Sequence, residues 1–280
     1  MVDVHEPKGE DMLIRGVRVH YYETGAGPPL LLIHGFLVSG REWLPVVPAL
    51  AAKFRVIVPD LPGLGESEKP TAFRYDREGF ADTLCDLMAG LDVPRAHVAG
   101  HSFGAAVAST LAADHPERVD RLVLIDANSH RFEAPWKARL PLVPVLGPIL
   151  FKQIYNRALF HDYFKTSVYA PGFQYNRSEV DRAYEMFDPA EAREAAYRIL
   201  PLTLRDFGAL GAKLGKIRAR TLVLWGELDP MFPVAQARQL AREIDGARLE
   251  VLPGCGHAPN EEMPERTSQL MIQHLSGSAA

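Results

Sequence analysis

Cysteine is nearly absent from this 280-residue chain, with only Cys85 and Cys255, far apart. That excludes a disulfide scaffold and matches no metal-ligand or redox spacing, so a reducing, cytoplasmic compartment is expected. Long hydrophobic runs are lacking as well. The longest, Leu140 to Phe151, contains Pro141, Pro144 and Pro148, which leaves it too short and too interrupted to span a bilayer. It must pack on protein or touch lipid superficially. Met1 to Asp11 carries Asp3, Glu6, Lys8, Glu10 and Asp11 around no apolar core, so no signal peptide is expected. An excess of one charge is missing too: 31 basic against 35 acidic residues leave a net charge of −4. No field draws in a polyanion, and nucleic acid is not an expected partner. With 47% hydrophobic and 24% charged residues, disordered, collagen-like and coiled-coil readings fall away. A chain this long holds one large domain or two small ones without staples.

What is present is a regular succession of short apolar runs, without internal repeats or long linkers. Leu30 to Ile33, Arg55 to Val58, His97 to Ala99, Arg121 to Ile125, Thr221 to Trp225 and Leu249 to Leu252 are rich in Val, Ile and Leu. They read as strands buried on both faces. Between them Phe80, Leu84, Leu87 and Leu91 recur at helical spacing, and Ser102 to Asp114 and Val234 to Ile244 are further helices. Strand alternating with helix predicts a mostly parallel sheet that binds its ligand beyond the carboxyl ends of its strands. Leu13 to Tyr22 alternates instead, with Val17, Val19 and Tyr21 on one face, which predicts a hairpin opening an antiparallel edge. From about Arg131 to Phe207 the rhythm gives way to helices broken by Pro135, Pro171, Pro189 and Pro201. The division is therefore a core of 1–130 and 208–280 with a helical insertion at 131–207. Fourteen of the 25 aromatic residues fall inside the insertion, either as its own core or as the roof of an apolar pocket.

The sharpest chemical signal is Gly100-His101-Ser102-Phe103-Gly104, directly after one strand and directly before a helix. A nucleophile on a tight strand-to-helix turn adopts strained backbone geometry, and glycine two residues to either side relieves the crowding. A serine hydroxyl needs a base within hydrogen-bond reach and a third group to fix that base. Of ten histidines, His257 alone stands in a glycine-flanked loop after the last strand. His101 is expected to point elsewhere, in a structural role. Asp229, in Gly226-Glu227-Leu228-Asp229-Pro230, leads as the orienting carboxylate, with Asp126 and Glu227 as competitors. Asp60 reads as a structural turn residue. Charge developing on a carbonyl oxygen calls for two pre-aimed backbone amides, contributing about 3 kcal/mol or more each. The amides of Phe103 and of Phe36, in His34-Gly35-Phe36-Leu37, are the candidates, with both rings expected to wall an acyl site.

These motifs resemble the α/β-hydrolase fold family, in particular its serine hydrolases with a helical cap. His34-Gly35-Phe36, Asp60-Leu61-Pro62-Gly63-Leu64-Gly65-Glu66-Ser67, the segment around Ser102, Gly226-Glu227-Leu228-Asp229 and Gly256-His257-Ala258-Pro259 with Glu261 and Glu262 agree in order along nearly the whole chain. The resemblance implies a mostly parallel eight-stranded sheet with helices on both faces. It is less specific for substrate. Dehalogenases and epoxide hydrolases of this fold use aspartate where this chain has Ser102. Carbon–carbon bond hydrolases tend to show Ser-Gly-Pro-Gly after His-Gly and Asn before the nucleophile, where this chain has Phe36-Leu37-Val38-Ser39 and His101. Proline iminopeptidases carry a His-Gly-Gly-Pro-Gly that is absent here.

The expectation is a cofactor-independent carboxylic-ester hydrolase using Ser102, Asp229 and His257, without a metal. Its partners would be a small, hydrophobic ester and water, with no nucleic acid and no transmembrane segment; a homodimer fits as well. The alternatives are a carbon–carbon bond hydrolase acting on aromatic ring-fission products and a non-catalytic small-ligand receptor on the same fold.

Overall fold

A computed structural model describes residues 8–130, 139–205 and 208–277. The expectations for residues 1–7 and for the ends of the insertion, 131–138 and 206–207, lie outside these. Eight strands form one sheet: β1 (Gly9–Ile14), β2 (Val17–Thr24), β3 (Pro29–Ile33), β4 (Arg55–Pro59), β5 (Ala96–His101), β6 (Val119–Ile125), β7 (Arg220–Gly226) and β8 (Arg248–Leu252). Their order is β1-β2-β4-β3-β5-β6-β7-β8. The pairs of β1 with β2 and of β2 with β4 are antiparallel, and all others are parallel. The hairpin is longer than its alternation predicts, because charged Glu10 and Asp11 stand in the ladder opposite Tyr21 and His20. An edge strand tolerates such residues.

Period-two alternation explains the two cores. Leu31, Ile33, Val98, Leu124, Val223 and Trp225 face one side with the helices Arg77–Gly90 and Phe103–Asp114, whereas Leu30, Leu32, Ala99, Val123, Leu222 and Leu224 face the other with the helix Pro264–Leu275. Helices cover both faces, so the central strands carry apolar residues toward both sides, with polar residues such as His97, Asp120 and Arg220 near their starts. Between β6 and β7 the chain leaves the sheet for a helical insertion that includes Arg157–Tyr163, Arg177–Phe187 and Ala190–Leu204. Pro201 does not break the last of these, contrary to expectation: it sits near the C-terminus and its carbonyl accepts the amide of Arg205 at 2.9 Å. The insertion has its own aromatic core of Phe151, Phe160, Phe164, Tyr184 and Phe187, joined by Leu37 and Ala258 from below. Among the described residues no helix is long and apolar enough to cross a membrane.

Candidate active site

At the carboxyl end of β5 the chain turns sharply into the helix Phe103–Asp114, with Ser102 at φ 53°. The glycines make this turn possible. A Cβ on Gly100 would stand 2.4 Å from the carbonyl oxygen of Gly104, and one on Gly104 2.2 Å from that of Ile33. The Ser102 amide donates to the Ile125 carbonyl at 2.9 Å, and the Ser102 carbonyl accepts the Asn128 amide at 3.1 Å, so the strained residue is held by its neighbours.

The structure brings Ser102, His257 and Asp229 into one chain of hydrogen bonds. Ser102 Oγ lies 2.9 Å from His257 Nε2, and His257 Nδ1 lies 2.8 Å from Asp229 Oδ2. With Nδ1–H donating to the carboxylate, Nε2 is left to accept the serine proton. The other Asp229 oxygen accepts the amides of Met231 at 2.7 Å and Phe232 at 2.9 Å. Burial pushes the Asp229 carboxyl up, but His257, the Phe232 amide and the neighbouring Asp126 outweigh it and hold the pKa below its ordinary value. The group therefore stays ionised.

Asp126 stands beside this pair without replacing Asp229. Its Oδ1 accepts the Gly226 amide at 2.9 Å, and ligand atoms of Asp126, Asp229 and His257 all lie within 4.8 Å of one another. Complete burial and the adjacent Asp229 charge raise its pKa well above the carboxylate range, so one of the two acids is neutral and the other charged. Glu227 accepts the Gly254 amide at 3.1 Å on the surface. Asp60 accepts the amides of Gly40 and Glu66, each at 2.6 Å, as a turn carboxylate does.

Above Ser102 opens a cavity of about 890 Å³, large enough for a drug-sized molecule. Its walls include Phe36, Leu37 and Val38 from the loop after β3 and Phe151, Tyr155, Tyr163 and Phe164 from the insertion. The aromatics thus form both a small core and a roof. The Phe103 ring does not wall the cavity, contrary to expectation. It is fully buried and packs edge-on against Phe80, with centroids 5.6 Å apart, because the helix that starts at Phe103 turns that side chain into the core beneath the sheet edge. Its wall carries the carboxyl groups of Glu42, Asp162 and Glu261 beside the imidazoles of His101 and His257. No Lys or Arg lines it among the described residues.

Sequence reasoning passed over the groups that brace the histidine loop. The His257 amide donates to the Val168 carbonyl of the insertion at 2.7 Å, and Glu262 accepts the amides of Gly256 and Ala170, each at 3.0 Å. The Tyr169 hydroxyl donates to Glu261 at 2.7 Å. Only the acidic pair following the histidine motif hinted at them. His101, expected to point elsewhere in a structural role, is buried and contacts the backbone of His257.

A family profile described as the alpha/beta hydrolase fold matches residues 28–264. The chain is 30% identical, over 97% of its length and 95% of the relative's, to 2-hydroxymuconate semialdehyde hydrolase from Pseudomonas sp. (strain CF600). Among solved structures it is similar to a meta-cleavage product hydrolase from Pseudomonas fluorescens IP01, with TM-score 0.80, 27% identity and 96% and 97% of the two chains covered. It is equally similar to a bacterial membrane phospholipase A, with TM-score 0.80, 29% identity and 96% and 86% covered. By its matched profile, its sheet and its strand-to-helix turn at Ser102, the chain belongs to the α/β-hydrolase fold family.

Proposed function

We propose that this hydrolase cleaves a carbon–carbon bond beside a carbonyl, in a product of aromatic ring fission, with Ser102 as nucleophile, His257 as base and Asp229 as its orienting acid. The observation that carries this reading is the 30% identity over nearly the entire chain to a hydrolase named for 2-hydroxymuconate semialdehyde, together with a serine and a histidine on the cavity wall connected to an aspartate whose buried side chain lies behind them. Ser102 attacks the carbonyl while His257 takes its proton. The amides of Phe36 and Phe103 receive the oxyanion. His257 then protonates the departing carbon, whose electron pair the conjugated substrate delocalises, and water releases the acyl group from Ser102 by the same steps reversed. In this reading 1–130 and 208–280 form the catalytic core and 131–207 the cap that selects the substrate.

A second reading, hydrolysis of a neutral carboxylic ester, is favoured by the cavity wall. A muconate semialdehyde carries a carboxylate, while the described wall offers the carboxyl groups of Glu42, Asp162 and Glu261, no Lys or Arg, and in His101 an imidazole already paired with Glu42. An anion buried without a counter-cation is costly. Likeness to a phospholipase at TM-score 0.80 supports the same reading. One panel decides: vinylogous diketones with and without a carboxylate, and p-nitrophenyl esters of increasing acyl length, on native protein and Ser102→Ala. Faster turnover of the diketones upholds carbon–carbon cleavage, and faster turnover of the esters upholds the second reading. Tight binding without turnover of either indicates a receptor.

A further inference from the structure

Behind Ser102 lies a buried pair that the triad does not use. His101 Nδ1 donates to Glu42 Oε2 at 3.0 Å, and His101 Nε2 donates to the backbone carbonyl of His257 at 2.7 Å. Burial pulls the imidazole pKa down, but the facing Glu42 carboxylate and the carbonyl more than offset it, and the net direction is upward. The second Glu42 oxygen, Oε1, accepts the Gly35 amide at 3.0 Å, and the Glu42 backbone carbonyl accepts Asn260 Nδ2 at 2.7 Å. The two side chains are 6% and 2% exposed. One pair thereby ties three loops: Gly35 and Phe36 after β3, the turn at Ser102 after β5, and His257 after β8. The fit is close, since a Cβ on Gly35 would lie 3.3 Å from His101 Nδ1 and 3.5 Å from Ser102 Cβ. Buried ion pairs contribute little net stability, because desolvation offsets attraction. What this pair does is hold distances.

We propose that Glu42 and His101 are positioning residues, forming a bridge from the Gly35 amide to the His257 carbonyl that sets the spacing between the oxyanion loop and the general base. The proposal rests on Ser102 as nucleophile and His257 as base, and is independent of which substrate is cleaved.

The test reacts native protein, Glu42→Gln, Glu42→Ala, His101→Phe and the Glu42→Ala/His101→Phe double variant with a p-nitrophenyl alkylphosphonate. Release of p-nitrophenolate reports phosphonylation of an activated serine whatever the natural substrate. Thermal melts normalise each rate to folded molecules. Each bridge-breaking single variant is expected to react ~10²-fold more slowly, the scale of a 1 Å misplacement. The double variant is expected to be no slower than the slower single, because both remove one bridge. Glu42→Gln still accepts the Gly35 amide and can donate to a neutral His101, and should stay within about fivefold of native; in every variant the maximal phosphonylation rate, and not the reagent concentration that gives half of it, is expected to carry the change. The proposal is overturned if folded His101→Phe or Glu42→Ala reacts within about threefold of native, or if the double variant multiplies the two losses. Should His101→Phe fail to fold, equal rates for Glu42→Gln and Glu42→Ala overturn it. A native protein that is not phosphonylated at all removes the serine-nucleophile reading, and the bridge with it.

Discussion

Along the carboxyl edge of the sheet the residues at the site are held by hydrogen bonds to backbone: the main chain of Ser102 by Ile125 and Asn128, and the carboxylate of Asp229 by the amides of Met231 and Phe232. In the insertion above, the same cavity is walled by rings that hold one another. Phe164, on the wall, lies 5.1 Å from Phe160 in the packed layer behind it, and Phe160 lies 5.6 Å from Tyr184 and 5.6 Å from Phe187. Directional bonds fix atoms to fractions of an ångström, as proton transfer requires. Ring packing conserves volume and shape while tolerating substitution. Under the proposed function, the lower region places the reacting atoms and the upper one shapes a space. The two meet where the His257 amide donates to Val168.

The contrast can be tested by damaging each region in turn. Ser102→Ala, measured as kcat/KM on whichever substrate the panel identifies, should cost ~10⁶-fold while leaving the melting temperature nearly unchanged. Next in size, Asp229→Asn should lower kcat by ~10⁴-fold and Asp126→Asn by less than about tenfold. Equal losses would show that the two acids share the role. In the insertion, Phe160→Ala should destabilise the fold by about 3–5 kcal/mol in a denaturant titration. Phosphonylation of Ser102 should proceed at near-native rate in its remaining folded molecules; a parallel loss of that rate would mean the upper region also places the reacting atoms.

The smallest effect concerns Glu261, at the seam between the regions. Burial raises its pKa to about 7, with the Tyr169 hydroxyl bond opposing and the Glu42 charge adding. A raised pKa means that the folded chain keeps a proton which the unfolded chain has released. This stabilisation is full below the unfolded value of 4.5 and is lost as pH rises through about 7. Glu261→Gln should therefore gain melting temperature relative to native protein as pH goes from 5 to 8. A difference independent of pH would contradict the assigned burial of that carboxyl.

Much of the lower region was legible in the residues alone, because strand runs and turn chemistry are local. Six strands were readable from apolar runs, and Ser102, Asp229 and His257 each follow a strand with glycine at hand. Contacts across the chain were not legible. Glu42 meets His101 59 residues away, and no periodicity encodes such a meeting. The direction of the Phe103 ring depended on how its helix docks, and the choice between Asp229 and Asp126 on distances of a few ångströms. The start of β1 was hidden because an edge strand accepts charge on its open side.

The central claim is that His257 makes the Ser102 hydroxyl reactive, and covalent labelling with a fluorophosphonate followed by peptide mass mapping addresses it most directly. The account predicts one adduct, on the peptide carrying Ser102, formed rapidly in native protein and at least ~10³-fold more slowly in His257→Ala. An adduct on another residue, or equal labelling rates with and without the imidazole, would contradict it.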